Sequence, residues 1–180
     1  MINFYATRIN QMSFKTILLL ILISLSTTTF AQKYVGFEMC KKTSNDKIIN
    51  FLEKSGATDI NIDRKAERFL YINIIAKNYP VANGFVDISV SVTDDILFGI
   101  YINDKDNKIG LLDIMREKYG EPYLIGSIYG TNLYQHNSKN PKVKISGTSN
   151  TVEYTCESIN KNRLQKYNQG LRKNDTGHPL

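Results

Sequence analysis

Between Val86 and Ile102 apolar and polar residues trade places with a period of two. Val86, Ile88, Val90 and Val92 alternate with Asp87, Ser89, Ser91 and Thr93. After the pair Asp94–Asp95 the pattern resumes with Ile96, Phe98, Ile100 and Ile102. Successive strand residues point to opposite faces, so this spacing describes two strands with one buried and one wet side. Two aspartates leave room for a tight turn only. A parallel crossover of a dozen or more residues is excluded, and the pair is an antiparallel hairpin.

Other segments carry strand character on either side of it. Tyr34–Met39 reads as a short leading strand, Asp59–Ile62 as a weak one and Arg68–Ala76 as a strong one. Pro80 and Asn83–Gly84 punctuate the chain before Val86. Further on, Tyr129–His136, Lys142–Ser146 and Thr151–Cys156 read as strands, the last two joined as a hairpin by Gly147–Asn150. Gly126 and Gly130 lack the Lys-Ser/Thr ending of a phosphate loop, and they mark a strand with a bulge or bend.

Two helices interrupt the strands. Thr43–Asp46 offers N-caps, Ile48, Phe51 and Leu52 share one face, and Gly56 supplies the stop, giving a helix over 44–55. Asp104–Lys108 can cap a second, with Ile109, Leu112, Met115 and Tyr119 on one face and Gly120 and Pro122 ending it. A polar, frayed helix is expected over 157–173. The fold class is α+β: an antiparallel sheet of six to seven strands with two or three helices on one face, arranged as two helix-plus-meander halves. In layout this resembles the helix-then-meander domains of exported β-lactamase inhibitor proteins and of small outer-membrane assembly lipoproteins. The likeness is one of element order, and the lipid-bearing cysteine of the second group is missing.

The first 31 residues read differently. Lys15 precedes the apolar run Ile17–Ile23, and Thr29 and Ala31 place small residues at the −3 and −1 positions of a signal peptidase site. Met12 gives a more compact start to such a signal than Met1. The apolar run gives way to Ser24 and Ser26 well short of the roughly 20 residues a spanning helix needs. The expected organisation is a cleavable signal peptide at 1–31, one α+β domain at 32–160 and a basic, partly disordered tail at 161–180. No transmembrane segment is expected after the cleavage point, and the expected location is periplasmic or secreted.

Charge is unevenly placed. The chain carries a net charge of +6. Arg8 and Lys15 contribute two of these charges, and Lys161, Arg163, Lys166, Arg172 and Lys173 against Asp175 contribute four, so 32–160 sums to zero. A nucleic-acid binder concentrates basic charge on its folded face, so no nucleic-acid partner is expected. The five tail bases suit at most a weak contact with an anionic surface. Cys40 and Cys156, an even pair in an exported chain, read as a disulfide closing nearly the whole domain. No metal and no cofactor is expected, because four ligands cannot be assembled from these residues.

Residues suited to catalysis are few. His136 is the one histidine in the folding region, a strand-end position that reads as surface polar, and no nucleophile motif accompanies it. Asp94–Asp95 reads as a turn former. Asp104–Lys108 lacks the glycine and the terminal glutamate of a calcium loop. Tyrosines, by contrast, crowd together at 119, 123, 129 and 134, and tyrosine suits protein interfaces. The expectation is a non-enzymatic binding module of the bacterial cell envelope, such as an inhibitor, immunity or accessory protein. Tyr123, Tyr129, Tyr134 and His136 are its candidate contacts, and another envelope or secreted protein is its partner. The alternatives are a surface-associated factor using the basic tail and a hydrolase of unrecognised type.

Overall fold

The period-two segments pair as expected. The structure is a computed structural model and describes residues 33–81 and 84–175; the signal-like segment 1–31 and His178 lie outside them. A two-stranded ribbon of β1 (Lys33–Tyr34) and β2 (Phe37–Glu38) leads into α1 (Asn45–Lys54). The first meander follows as β3 (Thr58–Asp63), β4 (Ile72–Val81), β5 (Gly84–Thr93) and β6 (Ile96–Asn103). The order then repeats: α2 (Leu111–Tyr119), β7 (Tyr123–Ile128), β8 (Thr131–His136), β9 (Val143–Gly147) and β10 (Thr151–Cys156). A last helix, α3 (Glu157–Asp175), closes the chain. The fold is α+β, and each half is one helix followed by four strands.

The eight strands form one antiparallel sheet in the order β3-β4-β5-β6-β10-β9-β8-β7. The halves meet through their last strands, β6 and β10, with Ile100 opposite Tyr154 and Ile102 opposite Val152. One cross-strand row on the inner face runs Ile62, Ile74, Val90, Ile100, Tyr154, Ile145 and His136. Ile48 and Leu52 of α1 and Leu111, Met115 and Tyr119 of α2 bury against that face in a single apolar core. Ser44 caps α1 through its hydroxyl, which accepts from the Lys47 amide at 3.3 Å. The Tyr154 hydroxyl reaches Met115 Sδ at 3.4 Å beneath α2.

Cys40 and Cys156 are joined, with Cα atoms 5.6 Å apart. The bond ties the segment before α1 to the end of β10, and so the start of one half to the finish of the other.

The sheet has one strand more than the upper sequence expectation. Tyr123–Ile128 forms β7, a strand the sequence pattern did not resolve. Tyr129–Gly130 makes its turn, so the strand expected from Tyr129 begins at Thr131. Gly126 does mark a bulge, at a register shift between Leu124 and Gly126. The strand expected at Arg68–Ala76 begins at Ile72 instead, after a 3-10 turn over Arg64–Phe69 that Asp63 caps and left-handed Leu70 ends. It also runs through Pro80 to Val81, past a register shift between Ala76 and Tyr79. A further shift pairs Val92 with Leu97 rather than Phe98. Leu97 therefore enters the core, and the ring of Phe98 meets Tyr71 edge-on at 5.6 Å.

Candidate binding surface

The second face of the sheet carries the polar half of every alternation. Pairing aligns Asn61, Ile75, Ser89, Tyr101, Glu153, Ser146, Gln135 and Tyr123 into one row that crosses all eight strands. Asn61, Tyr101, Glu153 and Tyr123 are exposed, and the other four are half-buried. Tyr101 and Tyr123 keep 43% and 47% of their surface in solvent, one near the middle of the row and one at its end. The Tyr123 hydroxyl accepts from the Gln135 side-chain amide at 2.6 Å, which holds both side chains in place across the β7–β8 pair.

α3 walls one side of this face. Asn160 and Arg163 stand beside Ser91, Tyr101, Glu153 and Thr155. Along the helix flank a cleft of about 630 Å³ opens between Lys161, Leu164 and Gln165 on α3 and Lys144, Ser146 and Glu153 on the sheet. The helix is fixed there by Arg163. Its guanidinium lies 4.8 Å from the Tyr71 ring centre and 5.4 Å from that of Phe98, and it donates to the Phe69 carbonyl at 2.6 Å. Tyr167 packs on Phe69 at 5.4 Å, and Lys166 pairs with Asp94 at 2.8 Å.

The polar helix expected over 157–173 is present and runs from Glu157 to Asp175, and these contacts hold its 161–167 part against the sheet. Of the five bases expected to meet an anionic surface, Arg163 is spent on the fold and Lys166 is paired. Lys161 is exposed on the cleft. The sequence offered no sign of this, because an arginine that stacks on two rings looks the same as a solvated one.

The four expected contact residues do not converge. Tyr123 lies on the open face. Tyr129 stands fully exposed in the β7–β8 turn. Tyr134 pairs with Leu124 and Gly147, which puts it on the opposite face from Tyr123 and Gln135. His136 is 4% exposed and belongs to the core. Its expected surface placement fails because it follows Gln135 by one residue, and the pleat turns it inward against Ile145. Burial pushes its pKa below the ordinary value, against a hydrogen bond to the Gly120 backbone that acts the other way. Tyr101, exposed on this face, is a candidate contact that the sequence reading missed. Its alternation with Ile100 and Ile102 carried the signal, since an aromatic on the wet side of a strand has no core to fill.

The turn at Asp104–Lys108 is structural. The Asp104 carboxylate accepts from the Ile109 amide at 2.6 Å, and Lys108 pairs with Asp106 at 2.8 Å. Among the described residues no cluster of three or more His, Cys, Asp or Glu side chains could hold a metal ion. No helix among them is long and apolar enough to cross a membrane. Comparison of the chain with known protein families, curated proteins and solved structures finds no match.

Proposed function

We propose that this chain is an exported, non-enzymatic protein-binding module of the bacterial cell envelope, and that the open face of its sheet receives the partner. One observation carries the reading. A row of side chains crosses eight strands with α3 only along its middle, and two exposed tyrosines and Glu153 project from it. Tyrosine brings contact area, a hydrogen-bonding tip and little entropy cost, and it is enriched at interface hot spots. A rigid sheet fixes the spacing of such contacts, and the disulfide fits an oxidising compartment outside the cytoplasm.

The test is capture of a partner from envelope extract by the wild-type chain, followed by titration of that partner against variants. Tyr101→Ala should weaken binding by about 30-fold or more if the tyrosine is a hot spot. Glu117→Ala, on the exposed side of α2, should leave affinity unchanged. Equal affinity for wild type and Tyr101→Ala would remove the open face from the account.

A further inference from the structure

β7 is the outermost strand of the second half, and all six of its residues are exposed. Ten large hydrophobic side chains are exposed among the described residues, and five of them fall between Tyr123 and Tyr129. The whole stretch from Pro122 to Ser138 contains no Lys, Arg, Asp or Glu. An edge strand presents unpaired N–H and C=O groups, and proteins blunt such edges with charge, proline, bulges or a covering element.

The opposite edge of the same sheet is guarded in these ways. β3 carries Asp59 and Asp63, its register breaks between Thr58 and Asn61, and Asp59 pairs with Lys77 at 3.2 Å. β7 shares a bulge but has no charge. Its apolar content serves no core either, since Leu124, Ile125 and Ile128 all face solvent.

We propose that β7 is a self-association strand, and that a second copy of this chain pairs with it antiparallel about a two-fold axis. A two-fold contact needs a surface complementary to itself. An antiparallel strand meets that need, because its edge groups pair with those of the copy in reversed order, residue i with j and j with i. Neutrality completes the match: no like charges meet across the axis, and the nearest charge, Glu121, is already held by Arg116 at 3.0 Å. A charged partner segment would find no counter-charge on this edge. The join would continue the sheet as the β6–β10 junction already joins the two halves. It engages the edge of the sheet rather than its open face, so it stands apart from the binding role proposed above.

The experiment uses the full coding sequence, with the protein purified as the host processes it. Sedimentation equilibrium from micromolar to millimolar concentration should show a monomer–dimer equilibrium, and amides 123–128 should gain hydrogen-exchange protection as the dimer fills. Ile125→Lys and, separately, Ser127→Lys should weaken dimerisation by at least about 100-fold, because each puts a charge on the neutral edge close to its symmetry copy across the axis. Asn61→Lys, on the guarded edge, should leave it unchanged. A wild-type monomer throughout, a dimer untouched by both β7 variants, or assembly that continues beyond a dimer would each overturn the proposal. The wild-type and exchange results stand whether or not a variant folds.

Discussion

The imidazole of His136 ends a core row whose other members are Ile62, Ile74, Val90, Ile100, Tyr154 and Ile145. Tyr119 of α2 lies 6.4 Å away, centre to centre, and Nδ1 of the ring has no hydrogen-bond partner among the described residues. Burial favours the neutral ring, and nearby Arg116 adds to the effect, so the folded pKa lies below the ordinary 6.5. The sign follows. Above 6.5 the ring is neutral in both folded and unfolded chains, and its contribution is complete. Below it the unfolded chain takes up a proton that the native state resists, so stability falls as pH drops towards the folded value. Thermal midpoints taken from about pH 8 to about pH 5 should therefore fall more steeply for wild type than for His136→Gln. Parallel profiles would contradict the assignment. Gly147 is a second residue with a geometric duty: a Cβ there would overlap the Thr151 carbonyl in the β9–β10 hairpin.

At the scale of elements, α3 separates two kinds of contact. The Arg163 guanidinium is half-buried against two rings and a backbone carbonyl, whereas Lys166–Asp94 is an exposed ion pair. Stacked and desolvated cation–π contacts are worth about 2 kcal/mol, and exposed pairs about 0–1. Arg163→Ala should release α3, read as faster exchange of its amides and tryptic cleavage at Lys161 and Lys166. Lys166→Ala should change neither the exchange of these amides nor cleavage at Lys161. Equal effects would mean that the helix is held by something else. The sequence made α1, α2, β5 and the β9–β10 hairpin legible, because each has a full amphipathic period and a clear stop. β7 stayed hidden because an exposed edge strand has no buried face to alternate against, and Gly126 breaks its apolar run. The start of β4 was misplaced because the apolar character of Phe69–Tyr71 belongs to a turn. Phe69 and Tyr71 serve α3, through Tyr167 and Arg163.

For the whole molecule, the disulfide spans 116 residues and links the opening of the first half to the close of the second. The chain-entropy model assigns a loop of that size about 4–5 kcal/mol, an upper figure for measured gains. Cys40→Ala with Cys156→Ala should lower the denaturation midpoint with little change in native spectra, since the apolar core itself is continuous across both halves. Loss of native structure without denaturant would show that the core cannot hold the halves together alone. The layout of two halves was readable from element order. The open face was not, because a pleated strand announces which side is polar but not which polar side stays uncovered. α3 decides that by standing along the middle of the row, beside Tyr101, Glu153 and Ser146, while Asn61, Tyr101, Glu153 and Tyr123 stay exposed.

That row is the centre of the account, and a photo-crosslinking residue placed at Tyr101 tests it most directly. The account predicts covalent adducts with one envelope protein from position 101 and none from the same residue placed at Glu117 on α2. Adducts from 117 with none from 101 would put the partner on the helical side and contradict it.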